Sequence, residues 1–452
     1  MEPMQRNIHA HRSHPLAIAE LVLEVVSLSR RKDLLSLALV CKGSKLPALY
    51  VLWQHLGSPS PWFSLVPAFA PTSSAKWALV RPPTEAEWLL LDRYAGVIRS
   101  FHSLFSSNPL RPHKIDIDPL IFDQLQACRP RSPLFPQMRS VTVPAIGGRL
   151  LKEISAILSP LIEHATLSIT DPACSYVEEL FKNSSQLKRL CLSGQISSSS
   201  LLVLSKFSDI EHLSLDFAHK VTLNVHECQQ AALQSTHLPP SLKSLELRSV
   251  DHFEFTFLSI LSPRSSLTRL YISASSSFIA RNLKVTSGLR DVTLEFTDAV
   301  MVEDDVVSAF QALKVGSADT LTHIEFTSLG SDLFQKLIHP LLDFPHIESF
   351  VMHEHEPHNL DVDAQCLETI VNSWPQLDRF ILPVWWGGVN VLAPADLRIL
   401  ARLPNLRCLL LPIGLGTHIG ELPLCSAPSS LASHMSLVDY YLTHYFPDGL
   451  PQ

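Results

Sequence analysis

A six-residue pattern of apolar positions, apolar-x-x-apolar-x-apolar, returns nine times between Leu187 and Leu411. Alternation of buried and exposed positions is typical of a strand with one buried face, and the stretches between copies carry helical spacing instead. Successive copies start 22 to 32 residues apart. The pattern therefore predicts a repeat array with one strand in each unit. The copies begin at Leu187, Ile210, Leu242, Leu267, Leu289, Leu321, Ile347, Leu377 and Leu406.

Weaker copies precede these nine, at Ile98/Phe101, Met138/Val141/Val143 and His164/Leu167/Ile169, so we expect eleven or twelve coils. Helices are predicted between the strands at 176–182, 201–207, 306–313, 332–342, 364–373 and 395–402. The period resembles that of leucine-rich repeats. This resemblance implies an α/β fold in which a curved solenoid has a parallel sheet on its concave face and helices outside. The asparagine that commonly follows the pattern is absent, so we expect irregular curvature.

Polar residues lie between the apolar positions of each copy, and the period-two geometry of a strand directs them to the concave face. The mixture of charges with a tyrosine suits selective binding of a protein target. The alternative, that most of these residues keep the sheet soluble, stays open. The candidate target-binding residues are Arg189, His212, Glu246, Arg269, Tyr271, Asp291, His323, Glu325 and Arg379, with Asp216, Arg248, Glu295 and His353 on the same surface.

The N-terminal region has a different pattern. Residues 1–13 are polar and predict a flexible tail. From Ile18 the spacing predicts three helices, with Asp33 capping the second and Pro47 beginning the third. A module of about 40 residues buries too little apolar surface to be stable alone, which predicts a partner.

Residues 14–56 resemble the F-box motif through IAELVLEVVSL at 18–28, DLLSLALVCK at 33–42, and Leu52 with Trp53. The chain departs from that family at two positions, where Ala19 replaces a proline and Ser44 replaces a tryptophan. The resemblance implies that the three helices bind a Skp-type adaptor of a cullin-RING ubiquitin ligase. The adaptor-binding residues that it implies are Leu16, Ile18, Leu21, Val22, Val25, Leu34, Leu37, Val40, Cys41 and Trp53.

Residues 57–96 are predicted to form a linker that ends in an amphipathic helix. The linker is rich in proline and serine, but Trp62, Phe63 and Trp77 need cover, so we expect it to be ordered. Thr84 followed by Glu87 is a helix-capping signature. The segments RPPTEAEW at 81–88, RYA at 93–95 and IRSF at 98–101 resemble the linker of fungal F-box proteins that carry leucine-rich repeats. The solenoid is then expected at 97–425 and a C-terminal cap or tail at 426–452, with a final helix at 436–446.

Composition narrows the class of protein further. With 46% hydrophobic and 17% charged residues the chain is expected to fold, and its net charge of −7 without a long basic run argues against nucleic-acid binding. Eight widely spaced cysteines suit an intracellular protein. The first apolar stretch contains Glu20 and Glu24, which indicates neither a signal peptide nor a membrane span. We expect a cytoplasmic or nuclear location.

Candidate chemistry is sparse. The segment 353–358, with Asp361 and Asp363, could ligate zinc, because His353 and His355 alternate on a strand edge. It lacks helical His-Glu-x-x-His spacing, and an exposed polar loop is the favoured interpretation. Trp385 and Trp386 could anchor a partner or cover a neighbouring coil. No nucleotide-binding or nucleophile motif occurs, so we expect no catalytic residue, no cofactor and no metal.

The sequence therefore predicts a non-catalytic substrate receptor of an SCF-type ubiquitin ligase, in which the helices bind the adaptor and the repeats bind a protein target. The alternative is a leucine-rich-repeat scaffold or ligand sensor without a ubiquitin-ligase role. In that case the N-terminal helices would only cap the first coil, and Leu21, Val25, Leu37 and Val40 would be covered by the solenoid.

Overall fold

The computed structural model describes residues 19–40, 42–72, 76–104, 116–118, 120–129, 133–146, 159–170, 184–196, 204, 207–217, 239–250, 266–298, 302–328, 338–354, 362–382 and 396–411. The chain divides into two compact units, residues 1–203 and 204–452. Both units are α/β and contain a parallel sheet whose strands follow one another in chain order. This confirms the predicted α/β class with a parallel sheet and is consistent with a solenoid.

The first unit begins with three helices, α1 (Ala19–Ser27), α2 (Arg31–Val40) and α3 (Lys42–Gln54). Two predicted boundaries were wrong. Asp33 lies in the first turn of α2 rather than at its cap, and Pro47 lies inside α3 rather than at its start. A proline inside a helix removes one backbone hydrogen bond, and burial of the apolar side of α3 offsets this cost. The shared core of the three helices contains Val22, Val26, Leu34, Ala38, Ala48 and Leu52.

The rest of the first unit contains two sheets and three helices in its described residues. Its parallel sheet contains β1 (His55–Leu56), β4 (Ser100–Phe101), β6 (Ser140–Ile146), β7 (His164–Ile169) and β8 (Arg189–Gly194). A three-stranded sheet contains β2 (Phe69–Pro71), β3 (Lys76–Leu79) and β5 (Asp116–Ile117). The helices are α4 (Ser60–Phe63), α5 (Glu85–Ala95) and α6 (Leu120–Cys128).

An aromatic cluster holds the region after α3 in place. Trp62 and Phe63 are fully buried, and Trp62 packs edge-on against Phe135 with ring centroids 5.0 Å apart. The Trp62 indole donates a hydrogen bond to the Leu91 carbonyl at 3.0 Å, which satisfies its polar atom within the core. This region is therefore ordered, as the need to cover its aromatic side chains predicts.

The described residues of the second unit form eight parallel strands. They are β9 (His212–Phe217), β10 (Ser244–Arg248), β11 (Arg269–Ala274), β12 (Asp291–Phe296), β13 (His323–Ser328), β14 (Ser349–Glu354), β15 (Arg379–Ile381) and β16 (Cys408–Leu410). The helices are α7 (Ser276–Leu283), α8 (Glu303–Ser317), α9 (Ala364–Ser373) and α10 (Leu397–Leu400).

Strands β8 to β16 coincide with the nine copies of the apolar pattern, each starting two residues after the first apolar position. Apolar positions of neighbouring strands are in register, as with Leu270, Val292 and Ile324. They face the helices, because Phe310 of α8 packs edge-on against Phe326 of β13 with centroids 5.6 Å apart. The opposite face of the sheet is polar.

The predicted register of the weak copy at His164 was wrong. Ala165 pairs with Leu190, and Leu167 pairs with Leu192, so Ile162, Ala165 and Leu167 occupy the three positions of the pattern. The predicted burial of Leu167 and Ile169 is confirmed, and only the assignment of His164 fails. His164 instead pairs with Arg189. Alanine is too small to stand out in an apolar pattern, which is why the sequence does not reveal this register.

The predicted helices have mixed outcomes. α9 matches its predicted range, whereas α8 is longer and α10 shorter than predicted. Helices α6 and α7 were not predicted. The segments 176–182, 383–395 and 412–452 lie outside the described residues, as do most of 201–207 and of 332–342.

Candidate interaction surfaces

Helix α1 carries two neighbouring apolar stripes. Val22 and Val26 lie one turn apart and are buried in the helical core. Leu21, Val25 and Leu28 follow the same helical spacing, but Leu21 is 46% exposed, Val25 is 50% exposed, and Leu28 is more exposed still. One stripe therefore holds the module together, and the other faces solvent.

Helices α2 and α3 repeat this arrangement. On α2, Leu34 and Ala38 are buried, whereas Leu35 and Leu39, one turn apart, are exposed. Nine of the fifteen large apolar side chains that are exposed in the described part of the chain lie within residues 19–54. We call these nine the helical apolar surface: Leu21, Leu23, Val25, Leu28, Leu35, Leu39, Val40, Leu46 and Tyr50.

The structure divides the predicted adaptor-binding residues into exposed and buried groups. Leu21, Val25 and Val40 belong to the helical apolar surface. Val22 and Leu34 are buried in the core of the module, and we assign them to folding. Leu37 is partly buried against that core. Leu16, Ile18 and Cys41 lie outside the described residues.

Trp53 connects the helices to the rest of the first unit. Its ring packs against Tyr94 of α5 with centroids 4.3 Å apart. The Arg31 guanidinium of α2 donates a hydrogen bond to the His55 carbonyl of β1. The three helices are therefore anchored to the rest of the first unit, from α3 to helix α5 and from α2 to strand β1.

Ser44, which stands where the family has a tryptophan, is part of the packing. It is buried on α3, and its hydroxyl donates a hydrogen bond to the Leu37 carbonyl of α2 at 2.8 Å. A tryptophan at this position would not fit without separating α2 from α3. The serine is thus accommodated in the core of the module.

The second surface is the polar face of the second unit's sheet, which we call the polar strand face. Cross-strand pairing places its side chains in three rows. The first row contains His212, Ser244, Arg269, Asp291, His323, Ser349 and Arg379. The second contains Ser214, Glu246, Tyr271, Thr293, Glu325, Val351 and Ile381, and the third contains Asp216, Arg248, Ser273, Glu295, Thr327 and His353.

A cluster around Tyr271 joins four side chains of this face by hydrogen bonds and a cation–π contact. The Tyr271 hydroxyl donates a hydrogen bond to the Glu295 carboxylate, and the Arg248 guanidinium lies 4.8 Å from the centre of the tyrosine ring. Glu246 accepts a hydrogen bond from Arg248 at 2.6 Å. Burial and the hydrogen bond to Glu295 raise the pKa of Tyr271 to about 12. The side chain therefore remains a hydrogen-bond donor at neutral pH.

Two further groups of charges cross neighbouring strands. Asp291 forms an ion pair with Arg269 at 3.2 Å, and its other oxygen lies 3.8 Å from the His323 ring. Glu325 lies 3.0 Å from the His353 ring nitrogen. Exposed pairs of this kind contribute about 0 to 1 kcal/mol each, so they set the pattern of charge more than the stability of the sheet.

The remaining predicted target-binding residues lie at the ends of the row. Arg379 on β15 is exposed and forms no ion pair with a described residue, whereas His212 on β9 is partly buried and partnered. Arg189 belongs to the first unit, where it is exposed at the start of β8. All nine predicted target-binding residues are thus on strands, and none is in the apolar core.

The sequence did not identify most of the helical apolar surface. Leu35, Leu39, Leu46 and Tyr50 are exposed, yet none was among the candidates. Their i, i+4 spacing in two helices is the signal that could have found them, because each pair lies on one side of its helix. The spacing alone does not say which of two apolar stripes is buried.

Other kinds of site find little support in the described residues. No group of three or more metal-ligating side chains occurs among them, and most of the segment 353–358 lies outside them. Within the same residues no helix has the length and apolar character needed to cross a membrane. Comparison with protein-family models and with curated proteins found no match to this chain.

Proposed function

We propose that the protein is a non-catalytic substrate receptor of an SCF-type, cullin-RING ubiquitin ligase. The three N-terminal helices bind a Skp-type adaptor, and the polar strand face binds a protein target. We place the protein in the cytoplasm or nucleus, where such ligases act. The observation that carries the proposal is the helical apolar surface, together with the F-box-like sequence of the same helices.

The exposure of these side chains needs an explanation. Leu39 is 88% exposed and Val40 is 82% exposed, although their neighbours Leu34 and Ala38 are buried. Burying one such side chain in an interface gains about 1.5 to 3 kcal/mol, so a surface with nine of them favours association with a partner. A helical module that docks on an adaptor has this property.

The alternative scaffold function predicts a different exposure for the same residues. It requires the helices to cap the first coil and requires Leu21, Val25 and Val40 to be covered. All three are exposed, and only Leu37 is partly buried, against the core of the helical module itself. These exposures favour the adaptor-binding proposal over the scaffold.

The polar strand face supports the second half of the proposal. It combines both signs of charge, a tyrosine held by hydrogen bonding, and the exposed guanidinium of Arg379. Complementary charges give selectivity in protein recognition more than raw affinity. This arrangement fits a surface that selects one protein target.

Co-purification of the full chain with a Skp-type adaptor tests the proposal. We expect the wild type to form a complex and the double variant Leu39→Glu with Val40→Glu to lose it, since two carboxylates would be buried in the apolar interface. Val315→Glu is the matched control, because Val315 is 90% exposed in the second unit, on α8. Equal adaptor binding by the double variant and the control would contradict the proposal.

A further inference from the structure

The edge of the first unit's sheet where the strands begin carries an excess of positive charge. Backbone hydrogen bonds connect the residues at this edge from one strand to the next. The Arg99 carbonyl accepts from the amide of Arg139 at 2.7 Å, and the Glu163 carbonyl accepts from the amides of Lys188 and Arg189 at 2.9 and 3.0 Å. We call this the basic edge; its members are Arg31, Arg99, Arg139, Lys188, Arg189, His55 and His164, and His102 lies just beyond the end of β4.

Strand pairing aligns the basic edge. Residues at the starts of the five strands share one cross-strand row, which includes His55, His164 and Arg189. Arg31 joins this row from α2 through its hydrogen bond to the His55 carbonyl. Neighbouring strands lie about 4.8 Å apart, so five strands span about 19 Å.

Acidic residues do not balance this charge. The residues at the strand starts form one row, and the residues just before them form a second row. Among the described residues of these two rows, Glu163 is the single carboxylate. Arg139 forms an ion pair with it at 2.9 Å. The second unit differs at the corresponding positions, where Lys243 pairs with Glu211 at 3.1 Å and Arg407 with Asp378 at 3.3 Å. The excess is thus specific to the first unit, in a chain whose net charge is −7.

The pKa values of His55 and His164 reflect the same excess of positive charge. Burial lowers the pKa of His55, and the charges of His102, Arg99 and Arg31 lower it further. Burial also lowers the pKa of His164, and the positive charges of Arg189 and Lys188 act in the same direction, partly opposed by Glu163. Both rings are therefore neutral at pH 7, and the arginines and lysine carry the charge of the edge.

We propose that the basic edge binds an extended, carboxylate-rich segment of a partner protein. Alternate residues of an extended peptide lie about 6.6 Å apart on one side, so a span of about 19 Å accommodates three such side chains. Two carboxylates four residues apart along the peptide, about 13 Å, can then reach the exposed cations on either side of the Arg139–Glu163 pair. These are Arg99 beside β4 and, about 14 Å away at the start of β8, Lys188 with Arg189. This surface is in the first unit, and its binding does not require an adaptor.

The charge pattern favours a peptide over a nucleic acid. Glu163 interrupts the positive row, and it would repel the uniform charge of a phosphate backbone, whereas a peptide can place a neutral residue at that point. Single-stranded nucleic acids also need exposed aromatic rings for base stacking. In the row of strand starts, none of the described residues is aromatic other than histidine.

Fluorescence anisotropy of the full chain with a labelled peptide of alternating glutamate and serine tests this proposal. We expect binding that weakens as salt rises from about 50 to about 200 mM, and little binding of the glutamine–serine counterpart. Arg99→Gln, Lys188→Gln and Arg189→Gln together should weaken binding about tenfold. The control removes the same charge from exposed positions of the second unit, Lys284→Gln, Arg290→Gln and Arg398→Gln, and should bind as the wild type does.

A charge-reversed variant excludes loss of folding as an explanation. Arg99→Glu, Lys188→Glu and Arg189→Glu together should bind a lysine–serine peptide that the wild type does not bind. Equal affinity for the glutamate and glutamine peptides, or equal loss in the basic-edge and control variants, would overturn the proposal. Tighter binding of an oligothymidylate than of the glutamate peptide would overturn the assignment to a protein segment.

Discussion

Tyr271 and Glu295 are joined by a hydrogen bond across two neighbouring strands, with the Tyr271 hydroxyl donating to the Glu295 carboxylate. Arg248 lies over the tyrosine ring from the strand on the other side. One ordered cluster therefore spans β10, β11 and β12. It fixes the orientation of three side chains at the centre of the polar strand face, which reduces the entropy lost when a partner binds there.

The hydrogen bond predicts a late titration of one tyrosine. The pKa of Tyr271 is about 12, above the ordinary value of 10.0, so its contribution to stability is present below pH 10 and is lost between pH 10 and 12. Ultraviolet difference spectra should show one of the seven tyrosines ionising near pH 12, and Tyr271→Phe should remove it. In Glu295→Gln the pKa should fall but stay above 10, because burial, its largest cause, remains. A wild-type titration without a late component would contradict this assignment.

The surroundings of Glu87 on helix α5 lead to a second prediction about pH. Arg81 donates two hydrogen bonds to the Glu87 carboxylate, and the Thr84 amide donates a third, which lowers the pKa of Glu87 from 4.5 to about 2. Its stabilising contribution is present above pH 4.5 and is lost as the pH falls towards 2. Carboxyl carbon NMR should show Glu87 ionising near pH 2, and Arg81→Gln should raise that pKa. An ordinary pKa for Glu87 in the wild type would show that the capping arrangement is absent.

Gly316 predicts a large effect from a single methyl group. A Cβ atom at this position of α8 would lie 2.1 Å from the backbone oxygen of Thr286, so α8 or the loop before β12 would have to move. We expect Gly316→Ala to lower the free energy of unfolding by about 1 to 3 kcal/mol. Gly57→Ala is the control, because nothing lies within 4 Å of its Cβ position. Denaturant unfolding measures both, and equal midpoints would refute the close approach.

The polar strand face predicts the effect of charge reversal on target binding. Arg269 and Arg379 lie in the same row on β11 and β15, about 19 Å apart, and both are exposed. Arg269→Glu with Arg379→Glu should reduce target binding and leave the circular dichroism spectrum unchanged, since exposed strand positions tolerate substitution. Lys284→Glu with Arg398→Glu is the matched control. Quantitative affinity purification compares the two variants, and unchanged recovery of wild-type partners would place the target site elsewhere.

The strands were predictable because burial leaves a clear pattern in this sequence. In every strand from β8 to β16, large aliphatic or aromatic residues recur at fixed spacing on one face, although Tyr271, Val351 and Ile381 lie on the opposite face. The short strand β1 carries no such pattern, since two residues show no alternation, whereas β4 begins two residues after Ile98 in the weak copy Ile98/Phe101, and both of these residues are buried. The packing of Trp62 against Phe135 was not predictable either, because tertiary contacts across more than 70 residues leave no local signal.

The interaction surfaces were predictable only in part. Strand geometry indicates that Arg269 and Glu325 face solvent, but the partner of each charge depends on strand register and side-chain rotamer. In the helices, apolar residues on two sides look alike until the fold shows which side is buried. Val22 and Val25 illustrate this point, because both fit the helical pattern and only Val22 is in the core.

Hydrogen–deuterium exchange of the full chain, with and without a Skp-type adaptor, tests the central proposal most directly. We predict that the adaptor protects residues 19–54 and leaves the strands from β9 to β16 unchanged, because the helical apolar surface is the docking site and the polar strand face remains open for a target. Absence of binding, or protection confined to the second unit, would contradict the assignment of this chain as an SCF-type substrate receptor.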